Sequence, residues 1–438
     1  MSLRPLLLPP TTALALCTVL AGTVVPAGAV DADRAVTCQG KRATIVGTGR
    51  PIVGTPGPDV VITGGARRVE TGDGADLVCV TGAAATVTLT TGAGPDRVEV
   101  AAGATPRVTA RLGSGDDTYR GGAGVDRVFG DDERVDGAGR GLDRGTDRIT
   151  TGAGADVVTI GGRVATRDVV DLGPDADVLV LAGTRTAPEA DLRGGAGADR
   201  VTLPAGLGAA AVTVSNRGLS TPAGVRTGGM EEFTATRAPA AAEGLAVTFL
   251  GGAAGERVDL PALAGAAAAG GDDVVVLDPR SDATVRGGAG TDLLELLTPD
   301  AVEATLADGS VLTYDATEDT LRQAYDVREI ERYRLGGAAV GVTGSDDADV
   351  VVAQSCFVTV DGRGGPDVLA VGAPTDGELC FTSRIALRGG EGDDVLVGGD
   401  TNDTLIGEGG TDTADGREGS DSCDAETETA CELEPTLP

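Results

Sequence analysis

"GGEGDDVLVGGDTNDTLIGEGGTDTADGREGSDSCD" occupies residues 389–424 and reads the same way four times. Glycine opens the units at Gly389, Gly398, Gly407 and Gly416, and aspartate follows five places later at Asp394, Asp403, Asp412 and Asp421. The eighth place holds Leu396, Leu405, Ala414 and Cys423. The rhythm is G-G-x-G-x-D-x-U-x, with U a large apolar residue. Glycine permits backbone angles closed to other residues, so each unit opens with a bend. The last three places alternate outward, inward, outward, as a short strand does.

The same rhythm recurs upstream. Units open at Gly54, Thr71, Thr91, Leu112, Gly121, Thr151, Leu172, Gly194, Gly287, Gly344 and Gly362, which makes fifteen with the tail. Their sixth places are Asp59, Asp76, Asp96, Asp117, Asp126, Asp156, Asp177, Asp199, Asp292, Asp349 and Asp367. Every upstream eighth place is Val, Leu or Tyr. The fourth place is glycine except at Asp175, Asp347 and Thr401, and the turns "LGPDADVLV" and "GSDDADVVV" are therefore expected to be degenerate.

The spacing predicts an all-β, elongated parallel β-roll or β-helix solenoid. Openings at 54, 71, 91 and 112 lie 17, 20 and 21 residues apart, the length of two short strands and two turns. One acidic turn per coil along a single edge is expected over 30–202, and turns on both edges over the tail, 344–424. "GDDERVDG" from Gly130 would fill the gap before 151. The segment 203–343 reads as degenerate solenoid, in which 203–267 and 298–340 fit poorly. There "MEEFTAT" from Met230 is echoed by "IERYRLG" from Ile330. "EDTLRQAYDVREIERYRLGG" fits an amphipathic helix or two strands equally. Residues 425–438 form a cap or tail.

Residues 1–29 have the form of a secretory signal peptide: Arg4, an apolar run, then Ala27-Gly28-Ala29 before the expected cleavage. Secretion, with no membrane insertion once the signal is removed, is the expectation. Six of the seven cysteines follow that segment. An even number in an exported chain implies disulfides. Chain proximity suggests Cys38–Cys79, Cys356–Cys380 and Cys423–Cys431.

The chain has 438 residues, a net charge of −32, no His and no Trp. Without histidine there is no Ser-His-Asp triad and no His-based zinc site. The acidity argues against nucleic acid as a partner, since that needs positive charge. It suits a protein whose counter-charge is metal cations. Turn carbonyls and one aspartate carboxylate per turn offer several oxygens at one locus. Ca²⁺ takes six to eight oxygens in a tolerant geometry. One turn is too few, whereas turns stacked about 4.8 Å apart can share an ion. Each aspartate can equally be a solvated turn residue that caps its bend.

The motif written here as "GGEGDDVLV" resembles the hemolysin-type calcium-binding repeat of the RTX family, a parallel β-roll. The resemblance implies calcium ligands at Asp394, Asp403, Asp412, Asp421 and the eleven upstream aspartates. It also implies backbone ligands in the same turns, at Gly390, Gly392, Gly399 and Gly410. Toxin members of the family usually lack cysteines and carry no N-terminal signal, so cytolysis is not carried over. The closer likeness is to secreted actinobacterial calcium-binding proteins of this repeat class. The function read from the sequence is a secreted, non-catalytic calcium-binding repeat protein, structural or adhesive, whose folding is coupled to Ca²⁺. A calcium-dependent polysaccharide lyase on a β-helix is the alternative, as is a module for an extracellular glycan or surface protein.

Overall fold

The computed structural model describes residues 36–130, 145–161, 167–182, 190–203, 212–217, 224–235, 247–374, 380 and 383–432. The signal-like segment, Cys17 and most of "GDDERVDG" lie outside them. From Thr37 onward the chain forms one unit.

Strands alternate between two parallel sheets. In the first sheet, Val60–Ile62, Leu77–Val80, Arg97–Val100, Thr118–Arg120, Arg148–Thr150 and Val169–Pro174 follow one another in sequence order. The second sheet interleaves with it, from Ile52–Val53 through Asp126–Phe129, Val157–Ile160 and Val178–Leu181 to Thr427–Thr429. Neither sheet closes on itself: among the described strands, Ile45–Val46, Ile52–Val53, Ser422–Asp424 and Thr427–Thr429 each have one neighbour. This is the expected β-roll solenoid.

The eighth places explain why. All fifteen are buried, from Val61 at 0% exposure to Cys423 at 3%. They stack in register, Val61 on Val78 on Val98 on Tyr119 in the first sheet, and Val128 on Val158 on Leu179 on Val201 in the second. One apolar core runs from Ile52 to Cys423 between the sheets. Full burial of one such side chain contributes about 1.5–3 kcal/mol. A repeating core of Val and Leu therefore needs few aromatics. Where the chain departs from the repeat, Phe233 and Phe249 fill the space with ring centroids 4.8 Å apart.

Two departures occur in the segment that fits the repeat poorly. Val212–Ser215 and Gly224–Gly228 both join the first sheet, in reversed order: Gly224–Gly228 lies beside Asp191–Ala196, and Val212–Ser215 beside Val247–Leu250. Further on, Ala301–Thr305, Ser310–Tyr314 and Leu321–Arg328 form an antiparallel meander where one parallel strand would stand. The outer strands of the meander still pair in parallel with Val340–Thr343 and Ala283–Ala289. "EDTLRQAYDVREIERYRLGG" gives two strands, Leu321–Arg328 and Arg332–Gly336, rather than a helix.

Cys38–Cys79, Cys356–Cys380 and Cys423–Cys431 pair as disulfides, with Cα separations of 5.8, 5.5 and 5.8 Å. No described helix is long and apolar enough to cross a membrane.

Candidate metal centre

Each sixth-place aspartate ends a turn and begins a strand, so sheet register stacks these residues in columns. All fifteen are buried, at 0–5% exposure. The backbone N–H of one aspartate donates to Oδ1 of the aspartate one coil on. Asp59 donates to Asp76, Asp76 to Asp96 and Asp96 to Asp117, each at 2.8 Å. Asp117 continues to Asp147 and Asp147 to Asp168 at 3.0 and 2.9 Å. These residues precede first-sheet strands. A second column precedes second-sheet strands: Asp126 to Asp156 to Asp177 to Asp199, at 2.7, 2.7 and 2.9 Å. It resumes downstream as Asp349 to Asp367 to Asp394 to Asp412. Asp403 to Asp421 restarts the first-sheet edge.

Turns before alternate sheets lie on opposite edges of the coil. The single acidic edge expected over 30–202 is therefore corrected: Asp59, Asp76, Asp96 and Asp117 occupy one edge, and Asp126, Asp156, Asp177 and Asp199 the other. The openings at 112 and 121 are nine residues apart, the same interval as in the tail, and that interval is what moves a turn to the other edge. Upstream of Asp126 the acids stop: its register partner on the neighbouring strand is Val108, whose N–H meets the Asp126 carboxylate but which has no carboxylate of its own.

Sequence reasoning missed several members. Asp147, Asp168 and Asp273 stand in the columns without the full glycine signature. Glutamates stand in elsewhere. Asp199 N–H donates to Glu231 Oε2 at 2.7 Å, and Asp292 N–H to Glu331 Oε2 at 2.8 Å. Glu426 and Glu432 accept from Asp412 and Asp421. Glu256 in turn donates its N–H to Asp273. The echo between "MEEFTAT" and "IERYRLG" marks two of these glutamates and was the available signal.

Fourteen of the fifteen turns fall into two kinds; the turn opening at Gly121 has no positive φ at its second or fourth residue. In those opening at 71, 91, 112, 151, 172, 194, 287, 362, 389, 407 and 416, the second and fourth residues take positive φ. Gly390 and Gly392 show the reason: a Cβ on either would lie 2.2 Å from the carbonyl oxygen of Arg363 or Gly365 on the adjacent coil. Asp175 takes φ +88° in place of a fourth glycine, so "LGPDADVLV" keeps the turn. In the turns opening at 54, 344 and 398, the second-place N–H donates to the aspartate Oδ2 instead, at 2.5–2.7 Å. Asp59, Asp349 and Asp403 are thereby tied within their own turns, and Gly399 is the donor to Asp403. "GSDDADVVV" is thus of the second kind, as is the turn at 54, which keeps its fourth glycine.

In several turns of the first kind the second carboxylate oxygen has nothing to bond. Oδ2 of Asp177, Asp199, Asp292, Asp367, Asp394 and Asp421 is buried without a hydrogen-bond partner. Where the turn opens on glycine, it faces that residue's bare side: a Cβ on Gly389 would lie 2.2 Å from Asp394 Oδ2, and one on Gly287 2.3 Å from Asp292 Oδ2. Burial without a counter-charge disfavours the carboxylate form. It pushes Asp177, Asp273 and Asp367 up to about 7. Asp96, Asp156 and Asp403 rise to about 6 for the same reason. Asp199, Asp292, Asp349, Asp394 and Asp421 are also raised by burial.

Orphaned anionic oxygens, closely packed carbonyls and bare glycine faces, with no nitrogen or sulfur among them, fit a hard oxygen-seeking cation. No group of three or more His, Cys, Asp or Glu side chains gathers around one point among the described residues. Each turn supplies one carboxylate, so backbone carbonyls must provide the balance of any ion's ligands.

A parallel β-solenoid with columns of acidic glycine turns is the class defined by this fold and site. Residues 112–133, 143–161 and 388–423 match the model of the RTX calcium-binding nonapeptide repeat, in four copies. These three segments carry calcium-binding repeats of the RTX type. No curated protein matches the chain.

Proposed function

We propose that this is a secreted, non-catalytic repeat protein, structural or adhesive in role, that folds with calcium. The observation that carries the calcium reading is the buried Oδ2 of Asp177, Asp199, Asp292, Asp367, Asp394 and Asp421, none of which has a hydrogen-bond partner. Asp76, Asp96, Asp117, Asp156, Asp177, Asp199, Asp292, Asp367, Asp394, Asp412 and Asp421 would hold ions with the carbonyls of their turns, among them those at Gly390, Gly392 and Gly410. Bound calcium supplies positive charge to carboxylates that burial has stripped of water. The chain's own part is to hold those carboxylates in line: each Oδ1 is fixed by an N–H from the neighbouring coil, which leaves Oδ2 aimed at the turn.

Secretion is supported by the signal-like segment and by three cysteine pairs. The structural or adhesive role is supported by the repeat architecture continuing across most of the described residues. Far-ultraviolet circular dichroism of the full chain during a calcium titration tests the coupling. The expected outcome is a gain of β signal and of melting temperature with calcium, reversed by chelator. A spectrum and melting curve indifferent to both would overturn it.

A further inference from the structure

The outer face of the second sheet is cationic near its N-terminal end, against the sign of the whole chain. Val69, Leu89, Ala110 and Val128 point into the core, so their neighbours point out. Register places Arg68, Thr88, Thr109 and Arg127 in one outward row, and Glu70, Thr90, Arg111 and Phe129 in the next. Arg107 stands on the same face at the start of its strand. Arg68 is neutralised by Glu70 at 2.5 Å. Arg107, Arg111 and Arg127 are exposed, and among the described residues none of them forms a salt bridge. Other arginines of this sheet are matched, as Arg200 is to Glu232 and Arg257 to Glu295.

Two of the unmatched guanidiniums share one ring. Arg111 Cζ lies 4.3 Å and Arg127 Cζ 5.5 Å from the centroid of Phe129. Stacking on an aromatic face holds a guanidinium in place while its edge N–H groups remain free to donate. A planar carboxylate accepts two of them at once. Beside this pair runs a shallow groove of about 470 Å³, lined by Arg111, Arg68, Thr88 and Thr90, with the carboxylates of Glu70, already paired to Arg68, and Asp73 at its side. Its floor is flat sheet with hydroxyls at strand spacing, which suits an extended chain of sugar rings better than a folded surface.

We propose that this face binds a linear uronate-bearing polysaccharide, gripping ring carboxylates with Arg111 and Arg127 and ring hydroxyls with the threonine rows. Nucleic acid fits less well. Duplex DNA carries a charge about every 1.7 Å, and a chain of net charge −32 repels such a polymer far more than a sparsely charged glycan. The proposal names the surface for the adhesive role above and rests on that role; it does not rest on calcium, because no sixth-place aspartate contributes to the grip.

Calorimetric titration of the full chain in saturating calcium, with hyaluronan oligosaccharides as the probe, tests it. Neutral dextran and duplex DNA serve as comparisons. Hyaluronan is expected to bind, more weakly as salt rises, and dextran and DNA are not. Combined Arg111→Ala and Arg127→Ala should weaken binding by about tenfold or more, with melting temperature and calcium response unchanged. Arg111→Lys, which keeps the charge but loses the planar fork, should also weaken it, whereas Arg200→Ala should not. Absence of hyaluronan binding, equal binding of dextran or DNA, or full affinity in the double variant would overturn the proposal. Calcium-dependent folding is read separately by circular dichroism, so failure here is distinguishable from failure of the calcium reading.

Discussion

Each turn aspartate has two oxygens with different work. Asp394 shows both: Oδ1 accepts the Asp367 N–H at 2.8 Å, and Oδ2 is buried with no partner. The two oxygens can be separated by substitution. Asp394→Asn keeps an acceptor for Asp367 while removing the charge. Without calcium it should melt no lower than the parent, but the rise in melting temperature on adding calcium should shrink. Asp394→Ala strands the Asp367 N–H as well, which costs about 1–3 kcal/mol in both conditions. Differential scanning calorimetry with and without chelator separates the two. The raised carboxyls also fix a pH dependence. Asp177, Asp273 and Asp367 move from 3.8 to about 7 on folding, and Asp96, Asp156 and Asp403 to about 6. Between those limits the folded chain holds more protons than the unfolded one, so its stability falls as pH rises. The contribution is fully present below about 4 and is lost as pH climbs through about 6 and then about 7. Chelated protein should therefore melt higher at pH 5 than at pH 7.5, and calcium should narrow that difference by supporting the ionised form at the higher pH. Melting curves at the two pH values, in chelator and in calcium, check the sign.

At the level of strands and turns, the glutamates carry a lesson about reach. Asp292 and Glu331 are 39 residues apart in sequence, yet the meander between them leaves the column intact, at 2.8 Å. The longer side chain bridges where no glycine turn brings the backbone close. Glu331→Asp should fail to reach the Asp292 N–H and cost about 1–3 kcal/mol, read as a lower midpoint in urea. Glu331→Gln should retain the bond. The same comparison explains what could be read beforehand. Asp76, Asp199 and Asp394 were legible because glycine, acid and apolar residue recur at fixed offsets, and each offset has one physical cause. Asp147 and Asp168 were not, since first-sheet register rather than a local turn motif puts them in line. The edge change between Asp117 and Asp126 was present in the nine-residue interval but was masked by the longer spacings around it. The reversed pair Val212–Ser215 and Gly224–Gly228 left no periodic trace, because order within a sheet depends on which neighbour each strand meets. The unequal fates of Asp394 and Asp403 depend on φ at Gly390 and Gly399, which one-letter glycines do not distinguish.

For the molecule as a whole, the columns put most buried charge along the edges of one shared core. At a free calcium level one hundred times the dissociation constant, each filled site adds about 2.7 kcal/mol. A few such sites equal the entire stability of an ordinary domain, about 5–15 kcal/mol. That is why calcium removal is expected to unfold coils rather than merely loosen turns. The column bonds join residues 17 apart at Asp59 and Asp76, and 30 apart at Asp117 and Asp147, with equivalent geometry. The intervening chain thus varies in length without disturbing the staples. The exposed hairpin tip at Ala307 and Asp308, inside the meander, is the described example of chain carried beyond the ordinary coil. A foreign epitope spliced there should be displayed on the flank of the rod without altering its scaffold, which would make the molecule a ready-made carrier for multivalent antigen presentation.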